Sequence, residues 1–152
     1  CCLVFKISSL AITNLQIKFD KLLFFYLFIG VGNFSYTIMD ELLIFKDNQT
    51  GDSVGMYYNT WLLIIKCILI EYAYKTDEEA NEVLKKHYYK KPESYYEVLY
   101  LSHETEYHWA MLGAYGELYW LKGVSSQVPI DYDTWYSNYI RNNDLPTPFQ
   151  WF

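Results

Sequence analysis

The sequence predicts an all-α protein, a single compact domain of about six to seven helices. Apolar residues recur at helical spacing in successive segments, and no stretch alternates apolar and polar residues for long enough to indicate a sheet. Asn-Gly and Asp-Gly pairs, which favour tight hairpins, are scarce. The 152 residues are enough to bury one hydrophobic core without a metal ion or disulfide bonds.

The first predicted helices lie in the N-terminal half of the chain. We expect one over about Phe19–Ile29, closed by a pair of glycines, and a second over about Tyr36–Phe45, before the turn-rich loop KDNQTGDS. A long helix over about Met56–Tyr74 should be the core helix, with Lys66 extending its ammonium group from the buried stripe to solvent. The apolar residues of this stripe are Trp61, Ile64, Ile65, Ile68 and Tyr72.

Capping patterns predict where the next helices begin. Thr76 and Glu79 have the spacing of a capping box, in which the hydroxyl accepts a hydrogen bond from the third backbone N–H and the carboxylate bonds back. Ser94 and Glu97 repeat this pattern after a proline, and Ser102 can cap the helix that follows. The sequence therefore predicts three successive helix starts.

The longest aromatic helix should run over about Glu104–Lys122. Its aromatic residues cover nearly every side, so we expect one side to meet the core and another to meet a partner. Gly113 and Gly116 inside a helix cost about 1 kcal/mol each relative to Ala, which suggests a close backbone approach or a bend. A last helix is expected near Asp131–Asn143, capped by one of its first aspartates, before the aromatic tail LPTPFQWF.

The N-terminal part raises two questions of organisation. We interpret residues 1–18 as an N-terminal extension and residues 19–152 as one helical domain. The run Leu22–Met39 contains 18 residues without a charge, a length close to that of a membrane-spanning helix. Glycine, asparagine, serine and threonine interrupt its second half, which favours a buried helix that ends in a turn over membrane insertion.

The charge is distributed unevenly along the chain. Residues 1–91 hold ten basic and ten acidic groups, whereas residues 92–152 hold eight acidic groups and only Lys122 and Arg141 as basic ones. An acidic surface repels nucleic acid and speeds the encounter with a basic protein. A single arginine in the whole chain also argues against a phosphate site. We therefore expect a protein partner and no nucleic-acid binding, and the oligomeric state is left open.

No catalytic, cofactor or metal site is expected. His103 and His108 enclose a motif similar to a zinc-protease helix, but their five-residue separation rotates them by about 140° on an α-helix, so they cannot bind one ion. Cys1, Cys2 and Cys67 make no disulfide framework, which favours a reducing compartment. Cys67 lies in an apolar run and is expected to be buried rather than nucleophilic.

The stretch Pro92–Lys122 is dense in tyrosine, tryptophan and glutamate and has almost no basic residue. Aromatic rings give large, rigid contact area, and carboxylates beside them suit a basic protein partner. We expect Glu117, set among aromatic residues, to be partly buried and bonded to a tyrosine or tryptophan donor. The candidate partner-binding residues are Glu104, Glu106, Tyr107 and Glu117, with Tyr95, Tyr96 and Trp135 as secondary anchors.

The segments GVGNFSYTIMDELLIFKD and KPESYYEVLYLSHETEYHWAMLGAYGELYW resemble the small immunity proteins of bacterial polymorphic toxin systems, of the Maf and contact-dependent growth inhibition type. The likeness covers roughly residues 19–122, and residues 1–18 have no counterpart. It implies a cytoplasmic bacterial protein without enzymatic activity. Such a protein binds the toxic C-terminal domain of one cognate effector, often a nuclease, and covers its active site or substrate groove.

A small α-helical enzyme or ligand-binding domain is the alternative function. In that interpretation the tyrosines and Glu117 line a pocket between helices. A deep cavity around Glu117 would favour the pocket, whereas an exposed acidic and aromatic patch would favour a protein partner.

Overall fold

The fold is mixed, with helices packed against a small sheet, in a computed structural model that describes residues 40–152. The described residues form five α-helices, one 3-10 helix and a three-stranded antiparallel sheet. The prediction of an all-α domain with six to seven helices is therefore wrong. The expectations for residues 1–18, for the helix Phe19–Ile29 and for the run Leu22–Met39 lie outside the described residues.

The sheet consists of β1 (Leu42–Lys46), β2 (Ser53–Tyr57) and β3 (Phe149–Trp151). β2 is the central strand, with Gly55 opposite Ile44 on one side and Gln150 on the other. Val54 and Met56, which alternate with Gly55, are fully buried in the hydrophobic core. The predicted aromatic tail thus supplies the third strand of the sheet.

The helix predicted over Tyr36–Phe45 is wrong where the structure describes it, because the chain forms β1 from Leu42 onward. A short apolar run fits a helix or a strand equally well, and pairing with β2 decides for the strand. The loop after it is a turn, as expected. The Asp47 carboxylate accepts hydrogen bonds there from the backbone N–H of Gln49 at 2.9 Å and from the hydroxyl of Thr50 at 3.1 Å.

Helix α1 (Tyr58–Glu71) is the core helix that the sequence placed over about Met56–Tyr74. Lys66 departs from the prediction. Its residue is only 5% exposed, and its Nζ lies 2.7 Å from Oδ1 of Asp77, so its ammonium group is paired within the protein rather than extended to solvent. The fully or almost fully buried side chains of the stripe are Trp61, Ile64, Ile65 and Ile68.

Helix α2 (Asp77–His87) begins at the predicted capping box, which is confirmed. The Thr76 hydroxyl accepts a hydrogen bond from the backbone N–H of Glu79 at 3.2 Å. In return, the Glu79 carboxylate accepts one from the backbone N–H of Thr76 at 2.9 Å. The two residues of this box are only three positions apart in sequence, so the local pattern is sufficient to fix the helix start.

Helix α3 (Tyr95–Ser102) begins at Ser94, as predicted, and packs against β1 and β2. The Ser94 hydroxyl accepts a hydrogen bond from the backbone N–H of Glu97 at 3.3 Å. The Glu97 carboxylate, however, accepts from the backbone N–H of Glu93 at 2.6 Å instead of that of Ser94. One of the first backbone donors of α3, the N–H of Glu97, is thus satisfied by the capping side chain.

The long helix predicted over Glu104–Lys122 is two shorter elements. Helix α4 (Glu106–Tyr115) is capped by the hydroxyl of Thr105 rather than by Ser102. It ends at Gly116, whose φ of +79° favours glycine and stops the helix. A 3-10 helix, Tyr119–Lys122, follows.

Gly113 explains how closely α4 approaches its neighbours. α4 packs on α1 and α2, and a Cβ atom at Gly113 would lie 2.8 Å from Cγ1 of Val83 in α2. The close approach at this glycine is therefore to a side chain, and not to the backbone that was expected.

Helix α5 (Tyr132–Asn142) forms within the predicted range. Asp131 precedes it, but its side chain makes no capping hydrogen bond. The rings of Trp135 and Tyr139 stack with centroids 5.5 Å apart, and the Tyr139 hydroxyl lies 3.0 Å from Sγ of Cys67. Burial raises the pKa of the Cys67 thiol.

Candidate functional site

The outward side of α3 combines tyrosine rings with carboxylates. Tyr96 and Tyr100, one helical turn apart, are 57% and 66% exposed. Glu97 is also exposed, and spacings of three and four residues from Tyr100 place Tyr96, Glu97 and Tyr100 on one side of the helix. Glu93, also exposed, precedes the helix, and its backbone N–H donates to the Glu97 carboxylate. Val98, which lies on the opposite side, is fully buried. We refer to Glu93, Tyr96, Glu97 and Tyr100 as the α3 face.

The hairpin turn adjoins the start of the α3 face. The Tyr96 hydroxyl lies 3.5 Å from Oδ1 of Asp47, and the ring of Tyr95 meets that of Tyr96 edge-on at 5.6 Å. The backbone N–H of Gln49 donates to Asp47 and, with the Thr50 and Tyr96 hydroxyls, holds the pKa of this carboxyl below its usual value despite burial. Asp47 is therefore ionised at neutral pH and adds negative charge beside the two rings.

A cleft of about 370 Å³ opens between the hairpin turn, residues 45–49, and residues 93–96. We refer to it as the hairpin cleft. Its walls include the rings of Phe45, Tyr95 and Tyr96 and the carboxylates of Asp47 and Glu93. The cleft therefore offers aromatic surface and negative charge together.

A second cleft, of about 280 Å³, borders Tyr100. We refer to it as the aromatic cleft. The Tyr58 hydroxyl donates to the carbonyl of Tyr88 at 2.6 Å, and Trp109 Nε1 donates to the carbonyl of Leu101 at 2.8 Å. Burial raises the pKa of Tyr58 to about 12. These donors are used within the protein, so the cleft offers mainly ring surface.

Glu106 is the partly buried acid of the C-terminal part, in place of Glu117. Burial raises the pKa of Glu106. Burial also raises the pKa values of Tyr132 and Tyr136 in α5, and the negative charge of Glu106 raises them further. Glu117 is exposed, so the expectation that it is partly buried is wrong. It lines neither the hairpin cleft nor the aromatic cleft.

Two further predicted contact residues lie inward. Tyr107 is 5% exposed and packs edge-on against Tyr72 and Tyr132. A ring this deeply buried offers little area to a partner, so Tyr107 is not part of the proposed surface. Trp135 is half-buried and contacts the ring of Tyr72 at 5.4 Å, so it contributes mainly to packing between α5 and the end of α1.

The predicted contact residues belong to separate parts of the fold. Tyr95 and Tyr96 line the hairpin cleft, whereas Glu106 lies where α4 meets α5. Glu104 is exposed in the turn before α4. Prediction from sequence missed Glu93, Glu97 and Tyr100, although Tyr100 lies at helical spacing from Tyr96, a signal that could have found it.

The two histidines of the protease-like motif have separate surroundings. His103 is exposed at the end of α3, and Nδ1 of His108 lies 3.1 Å from the hydroxyl of Tyr119. Between residues 40 and 152, no group of three or more His, Cys, Asp or Glu side chains is placed to hold a metal ion.

Comparison with known proteins does not place the chain in a family. No family model, no curated protein sequence and no solved structure matches it. Among the helices of residues 40–152, none combines the length and the apolar character needed to cross a membrane. A proposal about function therefore depends on the chemistry of the surfaces described above.

Proposed function

We propose that this protein is a bacterial immunity protein that binds and neutralises the toxic C-terminal domain of a cognate effector. The observation that carries the proposal is the α3 face, where Tyr96 and Tyr100 are more than half exposed between the carboxylates of Glu93 and Glu97. Tyrosines contribute strongly to protein interfaces because they bring large area at low entropic cost. The resemblance of the sequence to immunity proteins supports the same function.

The distribution of charge indicates the kind of partner. Seven of the eight carboxylates in residues 92–152 are exposed, and Glu106 is the exception. A toxin domain that acts on nucleic acid needs a basic groove for phosphate groups, and a surface of this charge is attracted to such a groove. We therefore propose a basic nuclease as the target. The exposed carboxylates are those of Glu93, Glu97, Glu104, Glu117, Asp131, Asp133 and Asp144.

The proposed activity is inhibition by occupation. The α3 face covers the active site or the substrate groove of the toxin, and the immunity protein carries out no reaction and needs no cofactor. Because the toxin acts inside the cell, the proposal places the immunity protein in the bacterial cytoplasm.

The test uses the toxin domain encoded beside this protein. Its affinity is measured by calorimetry for the wild type and for the variant Tyr96→Ala/Tyr100→Ala. Two central tyrosines together should contribute at least about 2 kcal/mol, so we expect affinity to fall about 30-fold or more, with matching loss of toxin inhibition.

The matched control is Tyr74→Ala/Tyr89→Ala, which removes two tyrosines that are exposed elsewhere. It should leave affinity within a few-fold of the wild type. Thermal unfolding of both variants checks that the fold is intact. Absence of binding by the wild-type protein would contradict the proposed function, and equal losses in the two variants would contradict the role of the α3 face.

The alternative of a ligand-binding domain has weaker support. The two clefts are the features that favour it, but the hairpin cleft, at about 370 Å³, lies at the lower end of the range of roughly 300–1,000 Å³ that is usual for ligand pockets, and the aromatic cleft, at about 280 Å³, lies below it. Glu117, which that alternative placed in the pocket, is exposed outside it. We therefore retain the protein-binding function.

A further inference from the structure

We infer that the hairpin cleft receives an arginine side chain of the toxin domain. The inference rests on the proposed function and names the group that this part of the surface recognises. Four features of the described residues lead to it: the aromatic walls of the cleft, its carboxylates, the Glu97 carboxylate at the start of α3, and the exposure of the nearby lysines.

The aromatic walls suit a planar cation. Tyr96 is 57% exposed, and its ring meets Tyr95 edge-on, so the two rings present surfaces in different directions. A guanidinium group stacks on such a ring through cation–π attraction while its N–H groups remain free in the plane. Phe45 adds apolar surface for the methylene groups of a long side chain.

The carboxylates supply the opposite charge. Asp47 is 7% exposed and already accepts hydrogen bonds from Gln49 and Thr50 within its turn. An ionised carboxylate has about four acceptor positions, so one more donor can be accommodated. Asp52 lies close by, because the Thr50 hydroxyl also donates to Oδ2 of Asp52 at 2.8 Å. Burial, and then the charges of Asp52 and Asp47, raise the pKa of Tyr95.

An anion is a poor occupant of the same cleft. A helix start binds anions through free backbone N–H groups. At the start of α3, the Glu97 carboxylate accepts the backbone N–H of Glu93 and brings a negative charge, and the Ser94 hydroxyl accepts the backbone N–H of Glu97. Added to the aspartates of the turn, this arrangement repels phosphate.

The lysines near the cleft leave room for a foreign cation. Lys90 pairs with Glu93 at the rim, at 3.2 Å, and both side chains are largely exposed. Lys46 is exposed and also lines the cleft, and its flexible stem allows the ammonium group to turn to solvent.

The first test uses a small probe and does not require the toxin. N-acetyl-arginine amide is titrated into isotope-labelled protein, and backbone amide shifts are followed by NMR. We expect saturable shifts confined to residues 45–52 and 93–97. N-acetyl-citrulline amide, a neutral analogue of almost the same shape, should produce none. Equal responses to the two probes, or shifts elsewhere only, would overturn the inference whether or not a toxin binds.

The second test measures toxin affinity for Asp47→Asn/Asp52→Asn. The matched control is Asp131→Asn/Asp133→Asn, which removes the same charge from an exposed helix start. We expect at least a ten-fold larger loss of affinity in the cleft variant than in the control. Because Asp47→Asn also removes a hydrogen-bonded carboxylate from the turn, Asp52→Asn is measured alone as well, and it should show part of the same loss of affinity. Equal losses would show that only overall charge matters and would overturn the arginine contact, while binding itself would still support the proposed function.

Discussion

Nζ of Lys66 lies 2.7 Å from Oδ1 of Asp77, and this ion pair joins the middle of the core helix α1 to the first residue of α2. Its two ends have different surroundings, because the Lys66 side chain is 6% exposed and that of Asp77 is 48% exposed. The pair therefore offsets part of the cost of burying an ammonium group, and solvent screens it only from one side.

Asp77→Asn is expected to destabilise the protein by about 1–2 kcal/mol. Loss of a partner from a fully buried pair costs about 3–5 kcal/mol, and the exposure of Asp77 reduces that figure. Urea unfolding measures the change. Glu78→Gln, which removes a charge from the same helical turn, should cost less than about 0.5 kcal/mol. Equal losses of unfolding free energy in the two variants would mean that Asp77 acts on the helix dipole and that its ion pair with Lys66 contributes nothing measurable.

Gly113→Ala should destabilise the protein by about 1–3 kcal/mol, although alanine favours helices. The added methyl group would lie 2.8 Å from Cγ1 of Val83, so α2 and α4 must move apart. Thermal unfolding is the measurement. Val83→Ala in the same chain provides room for the methyl group, and the double variant should recover part of the loss. If the double variant is no more stable than Gly113→Ala alone, contact with Val83 is not the cause of the loss.

Glu106→Gln should stabilise the protein at pH 7. Burial raises the pKa of Glu106 above its ordinary value of 4.5, so the folded state holds this proton more tightly than the unfolded state does. The wild type then loses stability as pH rises from 4.5 through the folded-state pKa, and glutamine does not. The difference in melting temperature should vanish below pH 4.5. Glu104→Gln, the same change at an exposed position, is the control.

Leu118→Gly should increase stability, by up to about 1 kcal/mol. Leu118 has a φ of +56°, a left-handed conformation that costs an L-residue about 1–2 kcal/mol and costs glycine nothing. Leu121, also exposed, lies in the 3-10 helix, and Leu121→Gly should reduce stability by about 0.5–1 kcal/mol. Chemical denaturation measures the change in unfolding free energy. If both variants lose stability, the backbone strain at Leu118 is negligible.

Local signals in the sequence predicted the helices well. The capping box at Thr76 and Glu79, the cap at Ser94 and the apolar stripe of α1 each depend on residues within a few positions of one another. The sheet could not be predicted in the same way, because the run LLIF of β1 is too short to show a period and β2 pairs with a strand from far along the chain. Gly116 was predicted inside a helix, and its positive φ instead makes it the end of α4.

The candidate site was predicted in part for similar reasons. The composition of the stretch after Pro92 indicated tyrosines and carboxylates at the surface, and Tyr96 is indeed exposed. Burial of individual residues was harder to foresee, since Tyr107 and Glu106 are covered by α5, which follows them only after a loop. The hairpin cleft also needs β1, the element that the helical interpretation missed.

The place of β3 in the sheet has a consequence for how the chain folds. All five α-helices of the described part lie between Gly55 and its partner Gln150. The β1–β2 hairpin is local and can form within about 1–10 μs, whereas β3 must wait until the intervening helices have brought its residues close. Until then β2 keeps one edge unpaired, and such an edge is a template for pairing with another molecule. Refolding at high protein concentration should therefore favour aggregation through β2.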